Sequence, residues 1–325
     1  MLIKFLKREK MQEEIVLDNY LEKVVSSLEK KSPKEILSYA IFNEEEEAKY
    51  YAELSKKAKR ESIKLLFIQM SEESEEHRNR LYTLFKKLYP GEEPVKVEAP
   101  PIEVLPFYPK FETVDDYLKA LEYCMESELF AKKAYELLAQ KAEDEDVKAL
   151  ALQLALFEED HYKRIKKAYE LFTAVKQGSI DLTGLSSMGY LFSDKIKARY
   201  LFLEILEGRK GVVFSRDSPE GIKRWIKREI ISFWITSKTC QRCITPRKLL
   251  ESLEDIPKEE NLVILIENIE TLRIAADSFE EFYTNISKLK DEATAKKCYV
   301  ILCGNKRAFE DKEWAILESE FKHVS

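Results

Sequence analysis

The sequence predicts a multidomain chain, an all-α four-helix bundle followed by an α/β domain with a mostly parallel sheet. Three observations predict it. Two helical stretches in the first half repeat each other without a gap. A proline-rich stretch breaks the helical pattern between them. Later in the chain, short β-rich apolar runs alternate with helical stretches.

The repeat has an offset of 84 residues. Glu44 corresponds to Glu128 and His77 to His161. YYAELSKKA (50–58) matches AYELLAQKA (134–142), with Tyr51 on Tyr135 and Leu54 on Leu138, and Leu81 falls on Ile165. The chain has three histidines, His77, His161 and His323, and two of them occupy equivalent repeat positions. Chance placement of rare residues explains that poorly.

Along the chain, residues 12–30 form an amphipathic lead-in helix with Ile15, Val16, Tyr20, Leu21 and Val24 on one side. Ser32-Pro33 is a helix start, because proline is suited to the first helical position. That helix runs to about Ala58. A second covers about 61–89 and stops at Tyr89-Pro90-Gly91. Residues 90–112 hold many of the ten prolines and cannot be helical. They form a stiff crossover along the bundle. Helices over about 113–142 and 145–176 complete it.

Residues 177–192 turn small and polar, which marks a domain boundary, and a helix over about 193–207 follows. KGVVFSRD, EIISFWITS, NLVILIENI and KCYVILCG then read as strands. PEGIKRWIKRE, TPRKLLESLEDI and SFEEFYTNISKLKDEATAKK read as the helices between them, with a last helix at about 311–322. Alternation of this kind implies a sheet covered on both faces. The expected organisation is a lead-in helix at 1–30, the bundle at 31–176, a linker and connecting helix at 177–208, and the α/β domain at 209–325.

Composition narrows the function classes. A length of 325 residues suits two domains, and a hydrophobic content of 45% suffices for real cores. A net charge of −6 makes general nucleic-acid binding unexpected. No apolar run is long enough for a membrane span, and the start has no signal-peptide pattern, so the expected compartment is the cytoplasm. Five cysteines in so long a chain do not form a secreted disulfide framework. Sparse glycine and heavy Lys/Glu use fit a thermophilic source.

The chemistry-bearing residues sit in the bundle. Glu158 and His161 are three apart, so on a helix they project from one face. A Glu on one helix facing a Glu-x-x-His on the next is half of a carboxylate-bridged di-metal site, and Glu128 supplies that Glu. Glu44 and His77 supply most of the other half. Ser74 stands where the repeat calls for a Glu, as the counterpart of Glu158. Two carboxylates could compensate. Glu73 is four residues before His77, and Glu47 is three after Glu44, where the repeat has Ala131. Taken alone, NEEEEA and SEESEEH read as solvated charge runs; the repeat reverses that reading. Oxygen-rich ligation with one His per metal suits iron or manganese. Tyr51 and Tyr135 lie two turns beyond Glu44 and Glu128; core packing is the favoured reading, with hydrogen bonding to a ligating carboxylate as the alternative.

On these residues, with FEEDH (157–161) the sharpest piece, residues 33–176 resemble the rubrerythrin branch of the ferritin-like superfamily. The resemblance implies a non-haem di-iron centre that reduces peroxide or oxidises ferrous iron. It implies Glu44, Glu128 and Glu158 as carboxylate ligands and His77 and His161 as imidazole ligands. An added carboxylate after a helix ligand also occurs in that family, which favours Glu47 over Glu73. Many relatives carry a rubredoxin-like domain, and none is seen here, so electrons are expected from a separate donor such as a rubredoxin-like protein. A homodimer is also expected. A cage-forming iron store fits less well with a large appended domain.

Residues 209–325 resemble an uncharacterised, largely archaeal family of unknown function (DUF835-like). The resemblance rests on VVFSRDSPE, SFWITS, ITPRKLL, LVILIENIE and LESEF. They are loosely similar to a RecA-type ATPase core, but no phosphate loop occurs, so nucleotide hydrolysis is not expected. Arg216, Asp217 and Glu267 fall near predicted strand ends, where open α/β sheets bind ligands, although solvated loop charges are the favoured reading. Cys240 and Cys243 form a C-x-x-C that reads as a redox dithiol, half a zinc site, or ordinary buried thiols. Cys298 and Cys303 lie on the last strand run at odd spacing, which points them to opposite faces, so only one of them could approach that pair. The alternative to an oxidoreductase is a regulatory or scaffold protein with a degenerate metal site.

Overall fold

Ser32 and Pro33 open the first long helix for the physical reasons given above. The Ser32 hydroxyl accepts from the Glu35 amide while the Glu35 carboxylate accepts from the Ser32 amide, a reciprocal capping box. Thr113 and Asp116 repeat the device at the third long helix. The structure is a computed structural model and describes residues 20–102, 108–182, 189–228 and 230–324. Its helical elements in the first half are α1 (residues 20–28), α2 (Pro33–Lys57), α3 (Glu61–Leu88), α4 (Val114–Lys141) and α5 (Glu145–Lys176). Residues 12–19 of the expected lead-in helix lie outside the described residues.

The repeat extends to the backbone. Ala58 and Ala142 close α2 and α4 with the same extended geometry, φ −66° at each. Leu54, Tyr51, Leu138 and Tyr135 are fully buried, as their shared apolar face requires. The crossover at 94–102 and 108–112 is non-helical. Its carbonyls find donors on the helices. Tyr39 donates to Pro100 O at 2.6 Å and Tyr20 to Pro101 O at 2.9 Å. Ile102 and Phe111 anchor it in the core.

The chain divides into two compact units, Met1–Ala58 with Leu66–Tyr169, and Lys59–Leu65 with Glu170–Ser325. The second carries a seven-stranded sheet in which every pair is parallel, ordered β4-β3-β2-β5-β6-β1-β7. Its strands are β1 (Gly189–Phe192), β2 (Lys210–Ser215), β3 (Ile231–Ile235), β4 (Cys243–Ile244), β5 (Leu262–Glu267), β6 (Tyr299–Cys303) and β7 (Lys322–Val324). Between them lie α6 (Lys195–Ile205), α7 (Pro219–Trp225), α8 (Pro246–Glu251), α9 (Ile269–Ala275), α10 (Phe279–Ala295) and α11 (Asp311–Glu320). The four expected strands are β2, β3, β5 and β6. Every residue of β5 and β6 is buried, the pattern of parallel strands covered on both faces.

Three strands and one helix were not foreseen. β4 and β7 have two and three residues, too few to show any alternation. The helix α9 is a single short stretch directly after β5. β1 corrects the domain boundary. Residues 177–208 were expected to be a linker and connecting helix, but β1 is inserted between β6 and β7 and α6 packs on β5 and β6. The α/β sheet therefore begins at 189. Gly189 permits this, because a Cβ there would meet the Phe321 ring at 2.4 Å.

Candidate metal centre

Four helices aim acidic and imidazole side chains into one buried space. Glu44 and Glu47 come from α2, His77 from α3, Glu128 from α4, and Glu158 and His161 from α5. One ligand atom from each of Glu47, Glu128, Glu158 and His161 lies within 4.8 Å of the others, and all four residues are buried. Among the described residues this is the one group of three or more such side chains close enough to hold an ion. Glu44 and His77 lie beside it, with Glu44 Oε2 3.6 Å from His77 Nδ1. The two imidazole rings are 5.5 Å apart. The six residues anticipated from sequence thus converge.

The two sides of the cluster are unequal. His161 Nδ1 is 3.1 Å from Glu47 Oε1 and 3.5 Å from Glu128 Oε2. On the other side Ser74 is fully buried, and its hydroxyl donates to the Met70 carbonyl one turn back at 2.9 Å. It offers no anionic oxygen where the repeat calls for one. Glu73 does not replace it. Arg164 binds both Glu73 oxygens in a fork, one at 2.6 Å, and Glu73 is partly exposed, with Oε2 3.8 Å from His161 Nε2. Glu47 is the carboxylate that joins the cluster. Arg164 was not singled out in the sequence, though its place three residues after His161 puts it near that face.

Two aromatic contacts frame the site. His77 stacks on Phe157, ring centroids 3.7 Å apart and 8° from parallel. Tyr51 donates its hydroxyl to Glu128 Oε1 and stacks on Phe67. The favoured reading of Tyr51 as core packing is thus incomplete, since its ring packs while its hydroxyl orients a carboxylate.

Burial is the largest influence on these groups, and it penalises their charged forms. It lifts Glu158 well above the usual carboxylate range, with repulsion from Glu47, Glu128 and Glu44 adding to it. Glu47 is also raised, by burial and by Glu128. Burial pushes Glu128 upward too, but His161, Glu158 and Tyr51 outweigh it and hold Glu128 low. Burial pulls His161 down, and Glu47 with Glu128 more than offset it, so its imidazole is held well above the ordinary value. His77 is drawn down to about 4, by burial first and then by His161. Without metal, protons on Glu158 and His161 balance the buried carboxylates.

These donors fit a divalent cation. His161 Nε2, His77 Nδ1 and Glu128 Oε2 are buried and make no hydrogen bond in the protein, which is costly unless something else satisfies them. Carboxylate oxygens with one imidazole per position are the donor set of iron or manganese. A cavity of about 320 Å³ adjoins the cluster, lined by Glu44, Glu47, Tyr51, Glu128, Tyr135 and Glu158 among others.

In the second unit, Glu267 ends β5 and is fully buried. Arg199 grips both its oxygens at 2.6 and 3.0 Å, and Lys195 lies 3.2 Å away. Ser215, at the end of β2, donates to it. Asp217 binds the same two cations. Solvated loop charges therefore describe only Arg216, which is exposed. Lys195, Arg199 and Ser215 escaped the sequence reading, although Lys195 and Arg199 share a face at a spacing of four. This closed ion-pair network sits where β2 and β5 part towards opposite ends of the sheet.

The cysteines correct three expectations. Cys240 and Cys243 are joined by a disulfide, with Cys240 exposed and Cys243 half-buried. They are not buried thiols, and a disulfide sulfur is no zinc ligand. Neither Cys298 nor Cys303 approaches them. Strands β3, β2 and β5 intervene between β4 and β6, and strands lie about 4.8 Å apart.

Among the described residues, no helix is long and apolar enough to cross a membrane. Residues 35–169 match the family model described as Rubrerythrin, and residues 191–321 match that described as Protein of unknown function (DUF835). None of the curated proteins matches the chain. Among solved structures, a hypothetical protein from Pyrococcus furiosus is 27% identical, over 46% of this chain and 96% of that one, with a TM-score of 0.39.

Proposed function

We propose, on the premise that this chain carries a rubrerythrin domain at residues 35–169 and a DUF835 domain at residues 191–321, that the bundle is a di-iron oxidoreductase. Its substrate is peroxide, or dioxygen with ferrous iron. The α/β unit serves as a partner-binding or sensory module. The observation that carries the reading is the convergence of Glu47, Glu128, Glu158 and His161 within 4.8 Å in a buried site. Those four residues would hold one ion. Glu44 and His77, 3.6 Å apart, would hold the other. Iron bound there supplies two-electron redox chemistry towards a small oxidant.

The chain's own residues prepare that chemistry. Tyr51 fixes the orientation of Glu128 through its hydroxyl. Glu158 and His161 release protons as the cation enters, because ligands must be deprotonated. The adjoining cavity of about 320 Å³ has room for a small substrate. Reducing electrons come from a separate donor.

The test is the metal content of anaerobically purified protein, followed by optical titration with hydrogen peroxide. Near two irons per chain and a peroxide-dependent absorption change, both lost in Glu128→Ala, are expected. One observation favours a second reading. Ser74 spends its hydroxyl on the Met70 carbonyl, which leaves one metal position short of a carboxylate. One metal or none, with no spectral response, would mean a regulatory or scaffold protein in which the α/β unit carries the function.

A further inference from the structure

The segment 237–242 is exposed without interruption and ends in the Cys240–Cys243 disulfide on the edge of the sheet. We propose that this pair is a reversible thiol–disulfide redox site that accepts two electrons from a dithiol. Three observations carry it, none of them dependent on the metal centre.

The bond is open to attack. Cys240 is exposed, and β4 is an edge strand with β3 on one side only. The other cysteines, Cys124, Cys298 and Cys303, are buried. A reductant in solution therefore meets this pair first.

The disulfide is not what holds the turn. Cys243 N–H donates to Cys240 O at 3.3 Å, closing the turn through the backbone. Trp234 N–H donates to Arg242 O at 2.8 Å and Thr236 N–H to Ile244 O at 2.9 Å, which pins the Cys243 side of the turn to the β3 end of the sheet. Thr245 caps the helix that follows. A bridge across two intervening residues removes little loop-closure entropy from the unfolded chain. Reduction can therefore leave the fold in place, as a working redox pair requires.

The surroundings favour an incoming anion. Lys238 precedes the pair by two residues and Arg242 lies between its cysteines, and residues 231–250 contain no Asp or Glu, although the whole chain has a net charge of −6. The attacking species in disulfide exchange is a thiolate, and these cations favour its approach.

The step balances without a further reactant. A thiolate of the dithiol attacks Cys240 Sγ, the Cys240–Cys243 bond breaks, and Cys243 leaves as a thiolate that takes up a proton. The second thiol of the donor then attacks the mixed disulfide and releases Cys240. The donor is oxidised to its disulfide, and the pair is reduced by two electrons. The reverse reaction with an oxidised dithiol restores the bond.

The test is a titration of the full chain in mixtures of reduced and oxidised dithiothreitol, quenched by alkylation and read by mass spectrometry. Cys240 and Cys243 are expected to gain their alkyl groups together, along a two-electron curve that is the same in both directions. Cys124, Cys298 and Cys303 should stay unmodified, and the far-UV circular dichroism of the chain should not change. In Cys240→Ser, Cys243 should be alkylated at every ratio. Resistance of the pair to reductant until denaturant is added would overturn the proposal. So would loss of native circular dichroism on reduction, or stoichiometric zinc on the two sulfurs in protein as purified.

Discussion

In the metal-free bundle, Glu158→Gln and Glu128→Gln should have very different costs, although both remove a carboxylate from the same cluster. Glu158 is held protonated by burial and by its acidic neighbours. A glutamine there replaces one neutral group with another of the same shape, so the expected loss is within about 1 kcal/mol. Glu128 is held ionised, 3.5 Å from the His161 imidazole that it helps to keep charged. At an effective dielectric constant of roughly 20, an ion pair at that distance is worth about 5 kcal/mol. That agrees with the roughly 3–5 kcal/mol lost when one partner of a buried pair is removed. Glu128→Gln also weakens the acceptor of the Tyr51 hydroxyl. Against a typical stability of about 5–15 kcal/mol, this is a large fraction. The assay is urea unfolding of chelator-treated protein at neutral pH, followed by far-UV circular dichroism. Tryptophan emission is recorded alongside, because Trp225, Trp234 and Trp314 all lie in the second unit. Repeating the series with excess Mn²⁺ should stabilise the wild type by about 2.7 kcal/mol at a hundredfold excess over Kd, and neither variant by as much. A metal-free loss as large in Glu158→Gln as in Glu128→Gln would refute the proton assignment. A full Mn²⁺ shift in Glu158→Gln would refute its role as a ligand.

Ser74→Glu should supply the carboxylate missing beside His77. Calorimetric titration with Mn²⁺ should show the weaker binding step strengthened about tenfold or more, while the metal-free protein loses stability from one more buried acid. Glu73→Gln should leave metal content unchanged and cost no more than about 1 kcal/mol, since its pair with Arg164 is partly exposed; a fall in bound metal would make Glu73 a ligand after all. His77 is neutral in the fold, with a value of about 4 against an ordinary 6.5. The unfolded chain therefore binds the extra proton between those values, so stability is full above the upper one and falls as the pH drops through the window. The loss should total about 3 kcal/mol, read as the difference between wild type and His77→Gln in metal-free urea melts across that range. Gly189→Ala should destabilise the second unit by about 1–3 kcal/mol, because the new methyl would press on Phe321; an unchanged tryptophan-detected midpoint would remove β1 from the folded sheet.

Much of the bundle was legible because its information is local and repeated. Helix spacing alone places Glu158 and His161 on one face, and the 84-residue repeat supplies the partners Glu44, His77 and Glu128. Helix ends were readable within a residue or two, because Ser32, Pro33 and Thr113 act on the backbone within one turn. In the α/β unit, the four runs that became β2, β3, β5 and β6 announced themselves through continuous apolar residues, the mark of strands buried on both faces.

The rest was decided by contacts between residues far apart in sequence. Spacing offered both Glu73 and Glu47 as substitutes for Ser74, with the family resemblance favouring Glu47, and it is Arg164, 91 residues from Glu73, that takes the Glu73 carboxylate out of the site. The hydroxyl of Tyr51 meets Glu128 across 77 residues. β1 is a strand only because β6 and β7 flank it, each supplying hydrogen bonds that no four-residue segment can make alone. Glu267, at the end of β5, is buried because Arg199 and Lys195 arrive from α6 to neutralise it. The sequence by itself determined the four bundle helices, the four long strand runs and which acidic and imidazole side chains share a helix face, since periodicity and capping act within a turn or a strand. Only the tertiary structure decided which charges are paired, because burying a charge depends on a partner that the chain must fold to deliver.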